Sequence, residues 1–402
     1  MYIETIRFSH ILETDTLENI HYFLPRTAFV ISHKSESVET LQGVLWYLPA
    51  NSPIIIVTNC PREDLEYLKT SLRAQLLSHK KIYVIHQKDD NIAQFFRATG
   101  VHHLLGKDGK VLDGKGEGMY IGSLFAALLR YPQWVIFYDA DNLVPSALLE
   151  YTLAMCRFFT SAASYRPAYQ ESIMADLLHD VRICWSSKPE INNGGLDHKL
   201  LGRCTSVVSP LFTTLLGEWF GMQDYPINSS NAGEQGMNIK TVKALRFSSG
   251  YSIETFQFLE LLSQSFGLHG QPHGAILQQY QARSSHFHTK KGDEHIKKMI
   301  AESLGCFFVF RDNLPTITAN QLQKICDEMS LDPAYPLIYP ALEELHMEDE
   351  DFLPLAIPSE GDGGDGTIFT YVHKEVFLHQ YKLFNDIDSQ NSWTVSYPVV
   401  EH

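Results

Sequence analysis

The chain has 402 residues, of which 44% are hydrophobic and 20% are charged, so a disordered composition is excluded. Its formal net charge of -15 excludes a broad basic surface for nucleic acid or anionic lipid, so an anionic ligand must be bound by a local site. At this length we expect either one large domain with an appendage or two to three domains.

The sequence predicts a cytoplasmic protein. Its N-terminal segment carries acidic residues and no long apolar run, and no stretch reaches the roughly 18 apolar residues that span a bilayer. The six cysteines are dispersed without a C-x-x-C pair, which indicates reduced, mostly buried thiols. We therefore expect neither a membrane nor a nucleic acid as a partner.

The first half of the chain alternates strand-like and helix-like segments. Short apolar runs rich in Val, Ile and aromatic residues predict buried strands at 28–35, 53–59, 81–87 and 134–139. Helices are predicted between them, at 61–78 and 116–131. Because alternating strands and helices build a parallel sheet, we predict an α/β fold whose sheet is mostly parallel and flanked by helices.

The alternation becomes less regular after about residue 160. Strands are predicted at 180–185 and from 275 onward, and helices at 205–221, 252–267, 320–329 and 341–353. The glycine-rich "GDGGDG" at 361–366 lacks the closing Glu of a calcium loop and predicts a solvated loop, as does the acidic run 348–351.

Two carboxylates stand at the end of the strand "WVIFYD". Asp139 and Asp141 would be metal ligands, a coupled acid and base pair, or part of a surface turn. Ligands of parallel sheets bind beyond the carboxyl ends of the strands, and a charge delivered there from the interior needs compensation. This placement favours a divalent cation, which in turn suits the diphosphate of a nucleotide or nucleotide sugar.

Glycines surround a lysine in "DGKGEGM", directly before a predicted helix. Gly114, Gly116 and Gly118 would allow close approach of the backbone, and Lys115 would add a positive charge for phosphate. The spacing matches neither a Walker loop nor a dinucleotide fingerprint, so a flexible turn is the alternative. Further along the chain, His286 and His288 would share one side of a strand and complete a metal site, or form a solvated pair.

Taken together, these segments resemble the mannosyl-3-phosphoglycerate synthases, a family of retaining glycosyltransferases with the GT-A fold. The resemblance covers roughly residues 28 to 300 and keeps the family's order. It is carried by "LQGVLWYLP", "IIIVTN", "HQKD", "DGKGEGM", "YDADNLVP", "GRCTSVVSPL", "SNAGEQGM", "SGYSIE" and "HFHTKKGDEH". It implies transfer of mannose from GDP-mannose to 3-phosphoglycerate, which gives the precursor of mannosylglycerate, and it implies a homodimer.

The resemblance also implies the organisation of the chain and of the metal site. Residues 1–230 would form the GT-A nucleotide-sugar-binding domain, and residues 231–402 the mixed or helical acceptor-binding and oligomerisation region. Asp141 and His286 would hold Mg²⁺ or Mn²⁺, with His288 as the alternative ligand.

The donor would be bound by residues from four segments. Asp139 would lie near the donor sugar and ribose, and the metal and Lys115 would stabilise the leaving group, so Asp139, Lys115 and Glu254 are the predicted catalytic residues. The full set of predicted donor-binding residues is Glu36, Gln87, Lys88, Asp89, Gly114, Lys115, Asp139 and Ala140. Ser32 and His33 replace the proline and valine that are more usual in the family, which leaves base selectivity open.

The acceptor would be bound by Arg203, Thr205, Asn231 and His288. Arg203 offers a planar fork to phosphate oxygens, and Thr205 offers a hydroxyl at a helix start. Glu254 would contact the acceptor hydroxyl or a sugar hydroxyl, unless it only complements the dipole of its helix.

Other functions fit parts of the pattern. The sister glucosyl-3-phosphoglycerate synthases use a different sugar donor. A sugar-phosphate nucleotidyltransferase would release pyrophosphate, but it needs a Gly- and Arg-rich loop that we do not find near residue 10. A noncatalytic nucleotide-sugar binder is a third alternative. The sequence leaves open whether retention arises by front-face attack or by two displacements.

Overall fold

The computed structural model describes residues 1–7, 17–74, 80–164, 177–192, 195–197, 202–288, 292–345 and 368–370. The predicted loops at 348–351 and 361–366, and most of the helix predicted at 341–353, lie outside these ranges.

The described chain contains one large sheet and two small ones. Its strands are β1 (Tyr2–Arg7), β2 (Thr27–His33), β3 (Pro53–Thr58), β4 (Lys81–His86), β5 (Trp134–Asp139), β6 (Leu178–Cys184), β7 (Glu190–Asn192), β8 (Gly195–Asp197), β9 (Gln235–Asn238), β10 (Phe247–Ser248), β11 (Ala275–Gln281), β12 (Ile338–Tyr339) and β13 (Ile368–Thr370). The large sheet has the order β1-β11-β6-β9-β5-β2-β3-β4-β13. The strands predicted at 28–35, 53–59, 81–87, 134–139, 180–185 and from 275 onward are confirmed.

Most neighbouring strands of the large sheet are parallel. The exceptions are β9, which is antiparallel to β5 and β6, and β13, which is antiparallel to β4. The predicted α/β fold with a mostly parallel sheet is therefore confirmed. The sequence did not reveal β1 or the four-residue β9.

Helices cover both faces of this sheet. They are α1 (Leu17–Phe23), α2 (Val38–Trp46), α3 (Arg62–Ala74), α4 (Asp90–Ala98), α5 (Lys115–Leu128), α6 (Ala147–Ser164), α7 (Arg203–Phe220), α8 (Ile239–Ala244), α9 (Ile253–Phe266), α10 (Asp293–Val309) and α11 (Thr316–Met329). Alternate strand residues enter opposite cores, since Val30 packs with α5 residues on one face and Ile31 with α2 residues on the other. No helix in the described ranges is long and apolar enough to cross a membrane.

The parallel register brings four strand ends to one edge. Ser32 of β2 lies beside Asp139 of β5, His33 beside Thr58 of β3, and Thr58 beside His86 of β4. Polar residues that follow these strands therefore meet at this edge, as the sequence predicted.

Strands from both sides of residue 230 share the large sheet, because β9 and β11 lie next to β6. The division at residue 230 therefore does not separate two sheets, and it stays a prediction. All six cysteines are free and buried, which confirms the prediction of buried thiols.

Candidate active site

A cavity of about 420 Å³ opens at the carboxyl ends of β2, β3 and β5. Every residue of the predicted catalytic, donor, acceptor and metal sets lines this cavity except Lys88 and Asp89. The structure thus brings together side chains from segments that span more than half of the chain.

Lys115, the first residue of α5, joins two acidic residues inside the cavity. Its Nζ lies 2.5 Å from Oδ1 of Asp139 and 2.6 Å from Oε1 of Glu254. Burial acts to lower the pKa of Lys115, but the charges of these two carboxylates raise it well above the usual value. Burial raises the pKa of Glu254, and Lys115 opposes this shift. The triad places one positive charge between two acids from distant segments.

The glycines before and inside α5 are required by close packing. A Cβ added to Gly116 would collide with the carbonyl oxygen of Ser248, and one added to Gly114 would lie 2.9 Å from the nitrogen of Gly250. Gly118 is less constrained, since its added Cβ would lie 3.6 Å from Oε1 of Gln87. Two glycines of the predicted phosphate loop therefore let α5 approach the turn that precedes Glu254.

Two acidic side chains, the buried Glu117 and the partly buried Glu302, hold this turn by its backbone. Oε2 of Glu117 accepts a hydrogen bond from Gly250 N (3.1 Å), and its Oε1 accepts one from Tyr339 Oη (2.7 Å). Oε2 of Glu302 accepts from Tyr251 N at 2.7 Å. The turn at 250–252 is thus fixed from α5, α10 and β12 before it enters α9 at Glu254.

On the predicted nucleotide side, Glu36 and Gln87 line the cavity. Oε2 of Glu36 accepts from the backbone nitrogen of Lys34 at 2.8 Å, and Nε2 of Gln87 donates to Leu112 O at 2.6 Å. His33, which also lines the cavity, contacts Thr58 Oγ1 through Nδ1 at 2.8 Å.

Lys88 and Asp89 have other contacts. Lys88 Nζ pairs with Oδ1 of Asp113 at 2.9 Å, and Asp89 caps α4 by accepting from Asn91 N at 2.8 Å. The structure therefore does not bring these two side chains to the cavity wall, and their predicted role in donor binding has no geometric support.

Asp141 and His286 lie in the same cavity, and their chemistry fits a divalent metal. Burial lowers the pKa of His286 well below its usual value, and the charge of Lys188 acts in the same direction. The imidazole is therefore neutral near pH 7, which is the form that ligates a metal. No group of three or more metal-ligating side chains occurs in the described ranges, so an ion held here would take further ligands from a diphosphate or water.

Glu234 lies next to His286, and the sequence analysis assigned it no role. Its Oε1 lies 3.3 Å from Nδ1 of His286, and its Oε2 accepts a hydrogen bond from Trp185 Nε1 at 3.0 Å. Burial raises the pKa of Glu234 to about 8, and the negative charge of Asp139 adds to the shift. The residue belongs to the "SNAGEQGM" segment, but nothing in its spacing indicated contact with a histidine.

The predicted acceptor residues, Arg203, Thr205, Asn231 and His288, also line this cavity. Arg203 begins α7 and pairs with Oδ1 of Asp293 at 2.7 Å, and Thr205 lies in the first turn of α7. Asn231 donates through Nδ2 to Thr255 Oγ1 and Ser303 Oγ, both at 2.9 Å. His288 lines the cavity with its ring centroid 5.2 Å from that of His286.

A fully buried arginine, which the sequence did not single out, links parts of this wall. Arg182 of β6 donates to the carbonyl oxygens of Ser229 (2.9 Å), Ser230 (3.4 Å) and Glu254 (3.0 Å). It therefore fixes the backbone at Glu254 relative to the segment before Asn231.

Lys188 is a further lysine of the cavity wall that the sequence did not reveal. It follows β6, its Nζ lies 4.2 Å from the centroid of the Trp185 ring, and burial lowers its pKa. The charges of Glu234 and Glu254 oppose this shift in pKa.

Comparisons with known proteins agree on one family. A family model described as mannosyl-3-phosphoglycerate synthase matches residues 4–351. A protein of this name from Pyrococcus furiosus is 31% identical over 305 residues, which are 72% of this chain and 73% of the relative. Another, from Aeropyrum pernix, is 28% identical over 293 residues, which are 70% and 72% of the two chains.

The chain is also similar to solved structures of glucosyl-3-phosphoglycerate synthase from Mycobacterium tuberculosis. The complex with Mn²⁺ and uridine-diphosphate-glucose has a TM-score of 0.47 at 16% identity, covering 78% of this chain and 87% of that one. The complex with phosphoglyceric acid has a TM-score of 0.43 at 16% identity, covering 72% and 81%.

Proposed function

The chain belongs to the mannosyl-3-phosphoglycerate synthase family, and from this membership we propose that it transfers mannose from GDP-mannose to 3-phosphoglycerate with retention. The observation that carries the proposal is that one cavity joins Asp139 and Asp141 at the end of β5 to Arg203 and Thr205 at the start of α7. A diphosphate donor and a phosphorylated acceptor need such facing sites.

A divalent metal, Mg²⁺ or Mn²⁺, is part of this proposal. Asp141 and the neutral imidazole of His286 would hold it, with Oε1 of Glu234 3.3 Å from Nδ1 of that imidazole. When bound, the ion supplies a positive charge that neutralises the diphosphate.

Lys115 supplies charge stabilisation from the protein itself. Cleavage of the anomeric bond leaves negative charge on the departing oxygen, and a positive charge already fixed in an enclosed site stabilises it without reorganisation. Its raised pKa keeps Lys115 protonated throughout the neutral range. Asp139 and Glu254 hold the ammonium in place, and they face the donor sugar and the acceptor hydroxyl in this proposal.

The acceptor phosphate is assigned to the start of α7. The first backbone N–H groups of a helix lack partners within the helix and favour anions. Arg203 and the hydroxyl of Thr205 lie at this helix end, whose cap residue Gly202 offers no side chain of its own. The phosphate would therefore be anchored at the N-terminus of α7.

The test is turnover by the purified full chain. GDP-mannose, Mg²⁺ and 3-phosphoglycerate should give a phosphorylated mannosyl product, identified by mass spectrometry, with release of GDP. Exchange of the donor for a glucosyl nucleotide separates this activity from that of the glucosyl relatives. Absence of turnover with every nucleotide sugar, or release of pyrophosphate from GTP and a sugar phosphate, would reject the proposal.

The oligomeric state and the cellular location are also part of this proposal. The family resemblance implies a homodimer, which gel filtration separates from a monomer of 45.7 kDa. The buried free thiols fit the cytoplasm, where thiols stay reduced.

A further inference from the structure

We infer that Lys188 is a second cationic ligand of the acceptor, which binds the acceptor phosphate together with the start of α7. The inference rests on the proposed function for the identity of the acceptor. The anion site itself is inferred from the structure. It is formed by Lys188, Gly202, Arg203 and Thr205.

The position of Lys188 points to α7. A Cβ added to Gly202 would lie 3.8 Å from Lys188 Nζ and 3.5 Å from Thr205 Oγ1. The ammonium and the hydroxyl are therefore close to one point at the helix start, where one phosphate group reaches both. Because Gly202 has no side chain, this point is left open for a ligand.

The ammonium of Lys188 lacks an ionic partner among the described residues. The ammonium lies over the face of the Trp185 ring, whereas Lys115 and Lys88 each pair with a carboxylate. A largely enclosed ammonium without a partner is costly, so such a group indicates a site for an anionic ligand.

The helix supplies the remaining ligands. α7 has 18 residues, and no side chain caps its N-terminus. Its first-turn amides and its dipole favour an anion at the same place as Lys188. Arg203, held by Asp293 at 2.7 Å, adds a second cation beside this helix end.

The charge of the cavity explains why a second cation is needed. Glu234, Glu254, Asp139 and Asp141 all act electrostatically on Lys188. A phosphorylated carboxylic acid that enters beside these carboxylates is repelled by them. Lys188 is influenced by the charges of this acidic group and lies close to Gly202 at the start of α7, so it offsets the repulsion where the acceptor binds.

The experiment removes Lys188 and the acceptor phosphate separately and together. Dissociation constants for 3-phosphoglycerate and for glycerate, which lacks the phosphate, are measured by calorimetry on wild type, Lys188→Met and Lys188→Arg at fixed ionic strength. We expect Lys188→Met to weaken binding of 3-phosphoglycerate at least tenfold and binding of glycerate less than twofold. Lys188→Arg should keep part of the affinity, and GDP should bind all variants equally.

The matched control is Lys324→Met, which removes a lysine exposed on α11 and should change none of these constants. Thermal melting without ligand checks that Lys188→Met is folded. If this variant does not fold, Lys188→Gln replaces it.

Equal weakening of 3-phosphoglycerate and glycerate by Lys188→Met would overturn the assignment to the phosphate. Weaker GDP binding with unchanged 3-phosphoglycerate binding would assign Lys188 to the donor instead. A second measurement separates this inference from the proposed function. The melting temperature is determined with and without inorganic phosphate as the ligand. If wild type is stabilised by phosphate and Lys188→Met is not, the anion site stands even without transferase turnover, whereas a wild type that binds neither phosphate nor 3-phosphoglycerate refutes it.

Discussion

The ammonium of Lys115 lies 2.6 Å from Oε1 of Glu254, although the two residues are 139 positions apart in the sequence. The contact joins the start of α5 to the start of α9, and the same ammonium reaches Asp139 at 2.5 Å. One lysine therefore links the end of β5 to the start of α9.

Replacement of Lys115 by Met should lower kcat by about 10²-fold or more, which is the usual effect of removing one preorganised charge from the leaving group. The KM values for both substrates should change less than kcat. Steady-state kinetics with each substrate varied in turn measures both parameters. Lys324→Met should leave them unchanged, and a Lys115→Met variant that keeps the wild-type kcat would remove Lys115 from catalysis.

Replacement of Asp141 by Asn should weaken Mn²⁺ binding at least about tenfold, since even the loss of an outer partner of a metal ligand costs 10- to 100-fold. Free Mn²⁺ is counted by electron paramagnetic resonance in the presence of GDP, without turnover. Asp90→Asn is the matched control, because Asp90 is 78% exposed and pairs with Lys110 away from the cavity. Unchanged Mn²⁺ affinity in Asp141→Asn would place the metal elsewhere.

The sheet and its acidic edge could be predicted from the sequence because their signals are local. The run "WVIFYD" predicts a strand over 134–139, and the structure gives Trp134–Asp139. Strand β9 has four residues and includes Gly236, so its place between β5 and β6 depends on the partner strands and not on its own pattern.

The pairing of site residues could not be predicted, because it depends on long-range packing. Glu117 stands in a glycine-rich helix start, and its sequence context does not reveal that it holds Gly250 and Tyr339. Lys188 follows a strand as an ordinary surface lysine would, and only its proximity to Gly202 in the structure distinguishes it.

Replacement of Gly116 by Ala should destabilise the protein by about 1–3 kcal/mol or more, the usual cost of forcing extra atoms into a packed region. The new Cβ would collide with the carbonyl of Ser248, and backbone cannot rotate away as a side chain can. Urea unfolding measures the change. Gly292→Ala is the control, since its added Cβ would meet nothing within 4 Å, and equal stabilities of the two variants would contradict the packing argument.

The stability of the protein in acid should depend on Glu260. Arg246 donates to both of its oxygens, from Nε at 2.8 Å and from Nη2 at 2.7 Å, and the side chain of Glu260 is 1% exposed. Burial acts to raise the pKa of Glu260, but the hydrogen bonds and charges of Arg246 and His269 lower it to about 2. A carboxylate whose pKa is lower in the folded protein stabilises the fold above its unfolded pKa.

This contribution, on the order of 3 kcal/mol, should therefore be complete near pH 7 and lost as the pH falls from about 4.5 toward 2. Glu260→Gln should be less stable than wild type at pH 7, and its free energy of unfolding should fall less steeply between pH 5 and pH 3. Chemical unfolding at a series of pH values measures both slopes. The control is Glu328→Gln, whose carboxylate is 65% exposed, and it should follow the wild-type curve. If Glu260→Gln instead follows the wild-type slope, the acid dependence arises from other carboxylates, and the Arg246 pair contributes little to it.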